Sequence, residues 1–316
     1  MRGSFGATRS TSEPLSSGAR ALRSAAKAPK PQPSPRGSGS SSFAPVVLLG
    51  PVLLFYGVFL VLPYTVLLRL SFFRYSATRL WVPDFTLANY AAIMSDPFYL
   101  ALIGRTVLLG LGVTAITLLL GYPLALKTAR ARPGVKRVLL AITLSPLLIN
   151  LVVRSYAWLV LLGDAGLVNR GLMALGVTAA PLAIGGNLVS VTIGMVHIGL
   201  PLMVISLVGV IERIDRSLPE AAESLGAGPA RVLRRVLLPL SLPGIGAGCL
   251  LVFCFSISAF VTPAVLGGSR VATVSTVIYD KFTFSVNWPV GATLVMVLLA
   301  LTLLVVALHA RTGRVE

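Results

Sequence analysis

The chain has 316 residues, 55% of them hydrophobic and 12% charged, with a mean hydropathy of +0.88 and a formal charge of +17. Soluble domains carry about 25% charged residues, so this composition excludes an ordinary water-soluble globular protein and describes an integral membrane protein. The positive charge raises nucleic acid as a partner, but its distribution decides for an orientation signal and against nucleic-acid binding.

Residues 1–42 are rich in Ser, Pro, Gly, Ala and Arg ("KAPKPQPSPRGSGSSS"). Such a stretch cannot bury enough apolar surface to order itself, and it reads as a disordered basic cytoplasmic tail. A cleavable leader places about 7 to 15 apolar residues directly behind a short basic region. Here a long polar tail precedes a longer apolar run, which reads as a retained anchor. Residues 43–310 then form one transmembrane domain, and 311–316 a short cytoplasmic C-terminus.

Six windows reach the roughly 20 apolar residues that a bilayer-spanning helix needs. They lie at residues 46–68, 106–126, 138–162, 188–211, 240–264 and 289–308. The fold class is therefore an all-α membrane protein with six transmembrane helices. Nineteen of the 27 Lys and Arg fall in four segments that share one side if the spans alternate: the tail, "KTARARPGVKR", the stretch 213–235 and the end of the chain. The positive-inside rule puts both termini in the cytoplasm.

Between the first two spans, "SFFRYSATRLWVPDFTLANYAAIMSDPFYLALIGR" reads as an extracytoplasmic loop with a short amphipathic helix at the interface. "GDAGLVNRGLMALGVTAAPLAIGGN" reads as a second short surface helix closed by a Gly/Pro loop. The third span carries one charge, Arg154, about 24 Å along from its start at 1.5 Å per residue. It has two readings: an arginine snorkelling to the outer interface, or a pathway or gate residue paired with Asp164 or Asn150. His197 in the fourth span is either a packed histidine or a proton relay. Cys249 and Cys254, both in the fifth span, read as apolar fillers with no disulfide framework and no metal site.

Catalytic signatures are missing. The phosphate-cradling loop G-x-x-x-x-G-K-[ST] does not occur, nor does H-E-x-x-H or G-x-S-x-G, so this chain reads as non-catalytic, with no cofactor of its own. The spans contain no Asp or Glu, which argues against the intramembrane acids that ion-coupled transporters use.

"EAAESLGAGPARVLRRVLLP" interrupts this apolar pattern. Ser217 followed by Glu220 has the form of a capping box, with Pro219 in the first turn, so a helix is expected to start there. Leu218, Ala221, Ala222 and Leu225 fall on one narrow face of it. Gly226 suits the left-handed residue that ends a helix, and a second helix starts at Pro229 with Arg231, Arg234 and Arg235 as a basic cluster. A plain connection needs about 2 to 8 residues, whereas this one runs from Glu212 to Arg235 with its own capping signals. A stripe of small residues admits another backbone, which favours docking to a cytoplasmic partner over contact with anionic membrane lipid alone.

Glu220-Ala221-Ala222, then Gly226, then Val236, Leu238 and Pro239 resemble the EAA motif of the permease subunits of ATP-binding-cassette importers, with valine where the family usually has isoleucine. "GYPLAL" (121–126), "LLINLVVRSYAWLVLLGDAGLVN" (147–169), "MSDPFY" (94–99) and "NWPVGA" (287–292) are most similar to the first permease subunit of spermidine/putrescine importers. The resemblance covers residues 43–310 and implies a type I importer permease of the MetI-like fold in a bacterial inner membrane.

It implies further that the elbow 212–239 docks on a cytoplasmic ATPase dimer, which binds the ATP and Mg. Glu220 would be the polar anchor, Ala221 and Ala222 the close-packing face and Gly226 the bend. A second permease subunit in a heterodimer and a periplasmic solute-binding protein would complete the importer. The implied solute is a polyamine or a related amine, selected largely by the binding protein. A secondary transporter or channel not driven by ATP is the alternative.

Overall fold

The computed structural model describes residues 43–312; the basic tail of residues 1–42 and residues 313–316 lie outside the described residues. The chain divides into two compact units after Val58. Within the described part of the first lies helix α1 (Phe43–Tyr56), uniformly apolar, with Pro51 inside it.

The second unit begins at Phe59 and opens with α2 (Leu62–Ser71). A short antiparallel hairpin follows, β1 (Arg74–Ser76) on β2 (Leu80–Val82), with Tyr75 opposite Trp81. Then come α3 (Ala88–Ser95) and the long α4 (Pro97–Arg130), started by Asp96, whose carboxylate accepts from the Phe98 N–H at 2.8 Å. Sequence reading finds the short helix but not the hairpin, whose turn carries no Gly or Asn and places Leu80 at a φ of +68°.

The third apolar run is not one helix. It is α5 (Pro133–Leu148) and α6 (Leu151–Leu162), separated at Ile149 and Asn150. The Asn150 Oδ1 accepts from the N–H groups of Val152 and Val153 at 2.8 and 3.4 Å, starting a new helix in mid-run. Helix α7 (Leu167–Ala174) follows, a short helix where the sequence predicts one, although it continues the apolar window of α6. The window long and apolar enough to span is then Leu151–Ala174, in place of 138–162.

Helix α8 (Leu188–Ile211) matches the fourth run residue for residue, capped by Asn187. The elbow comprises α9 (Ser217–Ser224), α10 (Pro229–Val232) and, after a wide π turn at Leu233–Leu237, α11 (Leu238–Leu240). Helix α12 (Leu242–Ser258) leaves the second arm of the elbow at 71°. Two short helices, α13 (Val261–Leu266) and α14 (Val274–Thr283), lead to α15 (Trp288–Thr312). Among the described residues five helices are long and apolar enough to cross a membrane, or six if the bent pair Pro229–Leu240 and Leu242–Ser258 counts as one.

The core is the triple contact of α4, α8 and α12, where Val113, Met195, Met203, Leu207 and Val252 are fully enclosed. Lipid tails are as apolar as leucine, so helices in a bilayer are held by close backbone approach and by polar bonds rather than by expulsion of water. Both devices are present. A Cβ on Gly199 would meet the side chains of Thr117 and Val252 at 3.1 Å, so α8 sits against both neighbours there. Two glycines of α12 pack within the chain: Gly244 faces Val210, and Gly248 faces Met203 of α8.

Candidate functional site

The elbow is built by local chemistry. The Asp215 carboxylate accepts from the Ser217 N–H at 2.9 Å. The sequence pattern puts the cap at Ser217; in the structure that residue is the first of the helix, Arg216 is the N-cap and makes no side-chain cap bond, and the Asp215 carboxylate one residue earlier takes up the first N–H. The bonds from the Ser217 backbone and then its side chain hold Asp215 below the ordinary aspartate range. This cap is complete above the ordinary aspartate pKa and is lost as the pH falls through the depressed value.

At the other end Gly226 has a φ of +81°. Its N–H donates to the Glu223 carbonyl at 2.9 Å and the Ala227 N–H to the Ala222 carbonyl at 3.0 Å. This 6→1 and 5→2 pair is a Schellman motif, which satisfies the last carbonyls of α9. Pro229 then starts α10, and buried Val232 and Leu237 fix the second arm to the body.

The outer face of α9 is largely exposed among the described residues. Leu218 and Ala221 are exposed, Ala222 is half-buried and Leu225 is 90% exposed. Glu220 is exposed and forms no ion pair among the described residues. Val236 and Leu238 are half-buried and Pro239 is exposed, so the motif divides into an anchored arm and a presented one. An ion pair between Lys136 of α5 and Glu212 at the end of α8 ties the preceding basic segment to the root of the elbow.

The proposed pathway trio is not brought together. Asn150 is exposed and caps α6, and Asp164 is exposed in the turn after α6, with no ion pair to Arg154 among the described residues. Arg154 is 7% exposed, which overturns snorkelling, and its Nη1 donates to the Pro146 carbonyl at the end of α5. It caps the broken helix from eight residues downstream. We expect Arg154→Ala to leave that carbonyl with only its long bond from the Ile149 N–H, at 3.4 Å, and to lower the stability of the detergent-purified chain by about 1–3 kcal/mol. Thermal unfolding checks this, and uptake should fall only in proportion to the folded protein lost.

A groove of about 580 Å³ runs between α4 and α8, lined by Arg105, Leu108, Gly112, Ile116, Leu188 and Thr192. Ile116 and Thr192 also line a second hollow of about 360 Å³, with Trp158, His197 and Leu200. Neither contains a carboxylate or any of the trio. The Trp158 Nε1–H donates to the His197 Nδ1 at 2.9 Å. That bond needs an unprotonated Nδ1 and makes His197 a packing partner for α6.

Sequence reading also missed Asn169, fully buried in α7. Its Nδ2 donates to the carbonyls of Gly163 and Leu182, both at 3.0 Å, and its Oδ1 accepts from the Leu182 N–H at 2.9 Å. One amide thus closes the loop between α6 and α8.

A family model described as "Binding-protein-dependent transport system inner membrane component" matches residues 118–314. The chain is 33% identical over 256 residues to the spermidine/putrescine transport system permease protein PotB of Haemophilus influenzae, covering 81% of this chain and 89% of that protein. Its fold is similar to a chain of a bacterial importer of the acidic polysaccharide alginate, with a TM-score of 0.67, 18% identity and coverage of 85% and 94%. A second structure of the alginate transporter, in complex with a pentasaccharide-bound periplasmic protein, gives the same TM-score at 17% identity, covering 85% and 93%.

Proposed function

Because this chain belongs to the inner membrane components of binding-protein-dependent transport systems, we propose that it forms half of an ATP-driven import path for a polyamine or a related small amine. The observation that carries the energetic part is the elbow. A helix held by local bonds at both ends presents Leu218, Ala221 and Leu225 outward, exposed among the described residues, with half-buried Ala222 beside them. An apolar face with alanines at its centre lets a second backbone approach closely, and on the basic side of the membrane that partner is a cytoplasmic ATPase.

The ATPase pair binds the ATP and Mg. A second permease subunit completes the path, and a periplasmic binding protein delivers the solute. Closure of the ATPase pair would displace the elbow, and the packed helices would rock between two rigid arrangements. The amine is supported by the similarity to the spermidine/putrescine permease. The groove lining has no carboxylate, so selection falls to the binding protein. The basic segments support both termini in the cytoplasm.

The test is uptake of radiolabelled spermidine and putrescine into right-side-out proteoliposomes that carry the complete complex, with ATP enclosed and the binding protein outside. We expect uptake that requires both ATP and the binding protein. Uptake by this chain alone, driven by an ion gradient without ATP, would overturn the proposal.

A further inference from the structure

We propose that Tyr122 and Ser241 form a joint that passes the motion of the elbow directly to the second span, so that Tyr122 is a positioning residue for transport. This rests on the reading of the elbow as the contact for the ATPase, and it adds a route by which displacement there reaches α4.

Ser241 is the single residue between α11 and α12, at the 71° bend, and it is fully buried. Its N–H donates to the carbonyls of Leu237 and Leu238 at 3.0 and 3.2 Å, and its Oγ–H donates to the Leu238 carbonyl at 3.1 Å. The Tyr122 hydroxyl lies 3.0 Å from that Oγ. Each hydroxyl has one proton. With the serine proton on Leu238, the phenol donates to the serine oxygen and both groups are satisfied. The side chain at the hinge is therefore bonded to the elbow on one side and to α4 on the other, across 119 residues of sequence.

The surroundings make this a stiff connection. A Cβ on Gly121, the residue before Tyr122, would meet Met203 of α8 at 3.0 Å, and Gly248, two turns beyond the bend, lies against the same Met203. Helices α4, α8 and α12 thus converge on one buried thioether beside the joint. Leu233 and Leu238 of the elbow pack on the same core. A buried hydrogen bond in a low-dielectric setting between two close-packed elements resists their separation, so a shift of the elbow draws the Tyr122 end of α4 with it.

The joint is tested in the assembled complex by hydrogen exchange, comparing the nucleotide-free form with the form trapped by ATP and vanadate. In the wild-type complex trapping should alter exchange both in residues 217–226 and in residues 118–128. In Tyr122→Phe, which keeps the ring and leaves the serine bonded to Leu238, the response of 217–226 should persist and that of 118–128 should fall at least threefold. Ser241→Ala should give the same separation, and the double variant no more than either single one. Equal responses of 118–128 in wild type and both variants would overturn the joint. A wild-type chain that recruits no ATPase would overturn the reading beneath it instead. If Tyr122→Phe lowers the yield of folded complex, Ser241→Ala supplies the same readout from the other side.

Discussion

Gly226→Val is expected to abolish recovery of the ATPase with this chain and to reduce solute uptake to background, while the chain still inserts in the membrane. At a φ of +81° a β-branched side chain is strained by about 1–3 kcal/mol. Nothing lies within 4 Å of a Cβ built there, so the effect comes from the backbone and not from a clash. Helix α9 has only eight residues and depends on its two ends. Without the Schellman pair, the Glu223 and Ala222 carbonyls lose their partners, and the first arm no longer holds Ala221 and Ala222 at a fixed angle to the second.

A penalty of that size shifts the population of the capped elbow by roughly tenfold per 1.4 kcal/mol. Gly228→Ala is the control: Gly228 has a φ of −67° and open space around it, so the backbone admits a methyl group, and the change should cost no more than about 1 kcal/mol, the loss of glycine at the N-cap of α10. Co-purification of the ATPase and uptake of spermidine are the measurements. Wild-type values of both in Gly226→Val would remove the elbow from the coupling route.

The elbow was legible in the sequence because its determinants are local. A left-handed glycine, a proline at a helix start and an apolar stripe all act within a few residues, and each is where the pattern places it. The cap moved from Ser217 to Asp215 because either residue type satisfies the first N–H groups, and sequence alone does not say which one lies outside the helix. The spans were legible as apolar length, but the break at Asn150 was not, since an uncharged amide barely lowers the hydropathy of a window. Arg154 was misplaced for the same reason. Its partner is a carbonyl that lacks its i+4 amide only because α5 ends at Leu148. The Tyr122 to Ser241 contact, the Trp158 to His197 contact and the amide of Asn169 have no local signature at all, because the bonded residues meet only after the helices have packed.

Close approach of α12 to α8 supplies the second large effect. A Cβ on Gly248 would lie 2.6 Å from the Met203 Sδ, 3.4 Å from the Ser206 Cβ and 3.7 Å from the Met203 Cα. The thioether is flexible and can turn away from one methyl group. Met203 is itself fully buried, however, and neither Ser206 nor the backbone behind it can follow. Gly248→Leu must therefore force the two helices apart at the point where Gly121 of α4 also reaches Met203. Overpacking of a core by several methylenes costs about 1–3 kcal/mol and sometimes more, and here it acts on three helices at once. The midpoint of thermal unfolding in detergent should fall by about 2–4 °C for each kcal/mol. Gly209→Ala on α8, where no atom lies within 4 Å of the new Cβ, should be neutral or stabilising by up to about 1 kcal/mol, since alanine favours the helix. The decisive variant is the double one. Met203→Ala costs stability alone, but combined with Gly248→Leu it gives the leucine the vacated volume, and the pair should be more stable than the sum of the single changes by about 0.5–3 kcal/mol. Strict additivity would mean that the two helices are not in contact at this point, and the packing that transmits motion from the elbow would have to lie elsewhere.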